Sequence, residues 1–160
     1  MSIWKELYDI FDKERSRWEK SGADKQALSF EIQSNLTFLA DALQNKLTQK
    51  NITQGLERSI FDNAIKDGFN FNSLNKAKVT TKTIDGFDEF KKYIGKDTAY
   101  LIKNAYVKLS SLTKLVSEDA NKDYSLKIKS LFRFFVLLAV HIEGHTLSRQ
   151  PSKDAKDSST

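Results

Sequence analysis

Apolar residues recur along this chain at steps of three and four, the spacing that holds side chains on one stripe of an α-helix. The strongest such stretch runs from Tyr124 to Arg149, with Ile128, Leu131, Phe135, Leu138 and Ile142 on the stripe. Phe132, Phe134, Val136, Leu137, Ala139 and Val140 fill most of the remaining circumference. A helix apolar on every side is normally buried on every side, so this stretch is expected to form the axis of the fold. A membrane span needs roughly 20 apolar residues. This run is shorter, contains Arg133 and is flanked by Lys127 and Lys129, which favours a core helix in water.

The same periodicity divides the rest of the chain. A first helix is expected from about Ser2 to Lys20, with Trp4, Leu7, Phe11 and Trp18 in phase and Glu14 the one polar residue among them. Gly22 suits a left-handed stop, and Ser21 or Asp24 can cap the next helix. The second helix reaches Gln49 and aligns Leu28, Ile32, Leu36, Leu39, Leu43 and Leu47. A third is expected to open at Asn51, with Gln54 at capping-box spacing, to carry Leu56, Ile60 and Ala64, and to stop at Gly68. From Asp97 to Glu118 the residues Ile102, Ala105, Leu109, Leu112 and Val116 make a heptad-like seam.

Residues 69–86 break the pattern. Phe69-Asn-Phe71 and the β-branched run from Val79 to Ile84 alternate, so a short hairpin competes with an ordered loop anchored by Phe69 and Phe71, and the loop is preferred. A short helix then spans Phe87–Ile94, capped by Asp85 and stopped by Gly95. Long helices with mostly short connections predict an all-α fold, an up-and-down bundle of five or six helices over residues 1–149. The polar stretch 150–160 has no apolar residue able to dock and is expected to be a disordered tail.

Composition agrees with this picture. Charged residues make up 29% of the 160, and there are only six glycines and one proline, Pro151. The absence of cysteine removes disulfides, thiolate metal sites and cysteine nucleophiles from consideration. The charged, amphipathic start lacks the apolar block of a secretory signal, which points to the cytoplasm. Between Asn70 and Lys114 nine lysines face four acids, a surplus equal to the whole chain's net charge of +5. Such a region attracts anionic partners at long range.

Four constellations bear on function. Phe134, Leu137 and Val140, off the main seam and near Arg133, offer an apolar face for a homo-oligomer or a protein partner. Lys96, Lys103 and Lys114 fall within about 20° of one helical line, and Lys76, Lys78 and Lys82 can extend that stripe towards a nucleic-acid backbone or another anion. His141 and His145 stand at i and i+4, a spacing that can present two imidazoles to one metal, with Glu14 or Asp9 as conceivable third ligands. No metal or other cofactor is assigned on that basis. Arg133 and His141 also invite comparison with the small all-helical ribonucleases of toxin–antitoxin and phage-defence systems, which the layout loosely resembles. In those enzymes a polar residue follows the arginine and the histidine comes sooner; here Phe134 follows it and seven residues intervene, so the motif is not met. The sequence also lacks a glycine-rich phosphate loop and a Gly-x-Ser-x-Gly elbow. These features predict a small non-catalytic interaction or regulatory module acting through an apolar helix face. The alternatives, in order, are a nucleic-acid-associated protein using the lysines and an enzyme built on the histidines.

Overall fold

The computed structural model describes residues 3–21 and 26–147, with side chains for 5–20 and 26–147. The expected helix start at Ser2, the stop at Gly22, the cap at Asp24, the side chains of Trp4 and Ser21 and the tail 150–160 lie outside these residues. Among the described residues the order is α1 (Ile3–Ser21), α2 (Ala27–Gln44), α3 (Gln49–Gly55), α4 (Ser59–Lys66), a 3-10 turn at Phe71–Ser73, α5 (Thr81–Ile84), a 3-10 turn at Asp88–Tyr93, α6 (Thr98–Glu118) and α7 (Ser125–Ile142), with no strand. The fold is an all-α helical bundle.

Helix α7 is its axis. It packs against α1, α2 and α6, and Phe132, Phe135, Leu137, Leu138 and Val140 are completely buried. Burying a side chain of this size stabilises the fold by about 1.5–3 kcal/mol relative to leaving it in water. No described helix is long and apolar enough to cross a membrane. The helix ends where Gly144 adopts a left-handed conformation (φ 74°). There the Gly144 N–H donates to the His141 carbonyl and the His145 N–H to that of Val140, the paired closure typical of a glycine stop.

Two helices end differently from expectation. Helix α2 stops at Gln44, because Lys46 takes a left-handed φ of 55° and the Lys46 and Leu47 amides fold back onto the Leu43 and Ala42 carbonyls. Leu47 therefore leaves the buried stripe and is 41% exposed. The third helix is two helices, capped first by Thr48, whose hydroxyl accepts from the Asn51 amide, so Asn51 is not the cap. The break follows from polar residues on α2. Asn35 holds the backbone of Glu57 through two hydrogen bonds of 2.7 and 2.9 Å. Buried Glu31 accepts from the amides of Ile60 and Phe61 and so caps α4.

Residues 69–86 form an ordered loop rather than a hairpin. Phe71 is buried and Phe69 partly so, and the β-branched run makes the one-turn helix α5, closed by a reciprocal Thr80–Thr83 capping box. Val79 pairs with the chain at 95–96, its amide donating to the Lys96 carbonyl and its carbonyl accepting from Gly95, while the Thr83 carbonyl accepts from the Leu147 amide. The segment after α5 is a 3-10 turn, and Asp85, at φ 41°, terminates α5 instead of capping that turn.

Candidate binding groove

The outer surfaces of α6 and α7 meet along a groove of about 300 Å³. Its walls carry Asn104, Val107, Lys108 and Ser111 from α6, and Lys127 and Ser130 from α7, over a floor that includes Leu112 and Leu131. One-turn spacing along α6 aligns Asn104, Lys108 and Ser111, and Lys127 and Ser130 answer them from α7. Val107 is 65% exposed on the rim, and Leu126, one turn before Ser130 on its helix, is 79% exposed. A smaller hollow adjoins it through Lys108 and Ser130 and adds Lys92 and Arg133.

The cations here are not equivalent. Arg133 Nε lies 2.8 Å from Glu89, so its charge is met inside the fold. Among the described residues, Lys92, Lys108 and Lys127 have no carboxylate within ion-pair distance; Lys108 Nζ instead stands over the Phe134 ring, and Lys92 Nζ over that of Tyr93. Burial, together with the charges of Lys92 and Lys127, pushes the Lys108 ammonium below the ordinary lysine range. Ammonium groups that crowd one another beside hydroxyl and amide donors form a local positive potential able to hold an anionic group.

Residues singled out from the sequence fall elsewhere. Phe134, Leu137 and Val140 do not form an exposed face: Phe134 is buried against Tyr93 and beneath Lys108, and the other two are wholly inside the bundle. The neighbouring helices and the 88–93 turn cover what looked like apolar surplus. Arg133 is partly exposed but bound to Glu89. The six lysines are all exposed, and the pairing of Val79 with Gly95 and Lys96 sets Lys78 and Lys96 on neighbouring backbone. Lys76 and Lys78 flank Ala77 beside the C-terminal end of α7, and Lys82 sits on α5. Lys96 precedes α6 and covers the Tyr100 ring, Lys103 covers Phe71, and Lys114 lies about 16 Å further along the helix than Lys103. Lys92, Lys108 and Lys127, which line the groove and its adjoining hollow, come from three elements, and no spacing rule connects them.

The histidines part company. Only His141 belongs to α7; His145 lies past the helix end, so the i, i+4 relation on one helix does not hold. His141 is buried, with Nε2 2.8 Å from the Thr98 hydroxyl and a further hydrogen bond to the Ala77 backbone. His145 turns to α1, its Nδ1 2.8 and 3.0 Å from the Glu14 carboxylate, which also receives Arg17 at 2.9 Å. This contact explains why Glu14 occupies an apolar phase. Among the described residues no group of three or more His, Asp or Glu side chains is arranged to hold a metal ion.

No family model, curated protein or solved structure matches this chain.

Proposed function

We propose that the protein is a non-catalytic interaction module and that its working surface is the α6–α7 groove. The observation that carries this reading is Val107, held 65% exposed in the groove wall, with Leu126, 79% exposed, one turn before the groove residue Ser130 on α7. A scattered apolar residue needs no explanation, but one held exposed in the wall of a groove provides what a partner's apolar side chain can cover. The groove lining includes no carboxylate and no imidazole to pass a proton near neutral pH, which favours binding over acid–base chemistry. The alternative of a nucleic-acid-associated protein draws on the same lysines, but the exposed aliphatics give a phosphate backbone nothing to bind.

The test is a Val107→Asp, Leu126→Asp double variant. Both positions are exposed, so its melting temperature is expected to match the parent's. In native extract the parent is expected to elute with a partner and the variant without it. Equal elution of the two proteins would remove the reading.

A further inference from the structure

We infer that the α6–α7 groove receives an acidic, amphipathic segment of a partner protein, with carboxylates at Lys92, Lys108 and Lys127 and aliphatic side chains on Val107 and Leu126. This rests on the reading of the groove as the working surface and adds the chemistry of its occupant.

Charge complementarity is the first argument. Most of the described ion pairs join oppositely charged side chains three or four residues apart, as in Arg15–Asp12, Arg58–Asp62 and Lys91–Asp88. The three lysines make no such pair: Lys92 has Asp88 and Glu89, and Lys127 has Asp123, at that spacing, but Asp88 is engaged by Lys91 and Glu89 by Arg133, and among the described residues no carboxylate lies within ion-pair distance of Lys92, Lys108 or Lys127. Lys108 bears a cost for being there, since burial and its two cationic neighbours both disfavour its charge. A partner's carboxylates would replace that repulsion with attraction, and partly desolvated pairs are screened less by salt than exposed ones.

The second argument is the mixture of surfaces. Asn104, Ser111 and Ser130 supply donors and acceptors between the lysines, while Val107 stands on the rim and Leu126 is exposed one turn before Ser130 on α7. An amphipathic helix alternates acidic and aliphatic side chains over a turn or two, the scale on which the groove alternates ammonium and methyl groups. A nucleic acid fits less well. The groove lining offers no aromatic ring for a base to stack on, since Tyr93 and Phe134 are buried, and the nearby Arg133 is held by Glu89.

The experiment places a benzophenone-bearing residue at position 107 of the full chain, irradiates it in the native cells and sequences whatever is attached. The expected result is a protein adduct whose cross-linked segment is net acidic with apolar residues at helical spacing. Its yield should fall about tenfold or more in a Lys108→Glu, Lys127→Glu variant. It should fall less in Lys108→Met, which keeps the aliphatic stem and guards against a trivial loss of folding. A segment that is neutral or basic, a yield indifferent to the lysines, or a second copy of this chain overturns the inference and leaves the groove as a protein-binding surface. A nuclease-sensitive adduct overturns it in favour of nucleic acid. No adduct at position 107, with the melting temperature intact, overturns both this inference and the reading beneath it.

Discussion

Glu31 shows how one buried polar residue can organise several helices. It is 2% exposed, and its two oxygens accept from the amides of Ile60 and Phe61 and from the Tyr106 hydroxyl at 2.7 Å. A carboxylate deprived of water needs donors of this kind. Burial and the Glu31 contact together push the Tyr106 hydroxyl far above its ordinary range, so it remains a donor at any working pH. Tyr106→Phe keeps the ring, which stacks on Phe61 with centroids 4.1 Å apart, and removes only that donor. The variant is expected to lose about 1–3 kcal/mol of stability in urea denaturation at neutral pH; a loss near zero would show that the two amides suffice. The opposite sign is expected at Lys46, a non-glycine residue at φ 55° closing α2. Left-handed backbone costs a side-chain-bearing residue roughly 1–2 kcal/mol. Against this, glycine loses more conformational freedom on folding, about 0.5–1 kcal/mol. Lys46→Gly should therefore raise stability by roughly 0.5–1 kcal/mol, read as a higher urea midpoint with unchanged slope. Of these residues the sequence displayed only Glu14 as an anomaly, because it sits at an apolar phase of a strongly periodic helix. Glu31 and Asn35 stand beside the apolar stripe of α2, and no spacing rule marks either as buried.

At the scale of elements, helices were legible wherever one apolar stripe ran long enough, as in α1, α6 and α7. What stayed hidden were breaks made by distant side chains. Leu56, Ile60 and Ala64 keep helical phase across residues 56–58, and only Asn35 and Glu31, on another helix, explain why the chain turns there. The β-branched run from Val79 to Ile84 kept a hairpin in competition with the preferred loop for reasons of propensity. Val79 meets Gly95 and Lys96 while Thr83 meets Leu147, so no one stretch of backbone accompanies the run, and a capped turn won. The join between α6, α7 and this loop carries a testable consequence. His141 faces the Thr98 hydroxyl of α6, the Ala77 backbone of the loop and, further off, the charge of Asp97. Burial outweighs the other two and holds the imidazole below its ordinary value of 6.5. Below that value the unfolded chain takes up a proton that the folded one resists, so the neutral ring's contribution is complete above pH 6.5 and is lost as pH falls through it. The Asp62 and Asp97 carboxyls, held below 3.8 by Arg58 and by the Tyr100 amide respectively, lose their contributions only in stronger acid. The urea midpoint should therefore drop between about pH 7.5 and about pH 5, and drop less in His141→Gln. An equal drop in both proteins would assign the acid sensitivity elsewhere.

For the molecule as a whole, the axis of the bundle could be read from LFRFFVLLAVHI, but its partners could not. The apolar surplus of Phe134, Leu137 and Val140 suggested a surface because hydrophobicity says that a residue is covered without saying by what. In the folded chain the cover is internal, including the 88–93 turn through Tyr93, and the aliphatics that α6 and α7 leave most exposed are instead Val107 and Leu126, single side chains on otherwise polar faces. Likewise the excess of positive charge was visible as a total. Its location required the fold, since Lys92, Lys108 and Lys127 meet only when the 88–93 turn, α6 and α7 are assembled. A cluster that repels itself works against folding, and a protein retains such strain where it serves binding. Lys108→Met separates the two demands. Methionine keeps a flexible stem against the Phe134 ring while removing the charge that Lys92 and Lys127 oppose, at the cost of a cation–π contact worth about 0.5–1 kcal/mol at an exposed site. Because the lowered ammonium pKa records a net penalty, the variant should melt at or above the parent's temperature in low salt. Added salt screens the remaining repulsion, so the parent should gain more from it than the variant does. If Lys108→Met instead melts lower, and the gap does not close with salt, the ammonium supports the fold, and the groove can no longer be read as charge held in reserve for a partner.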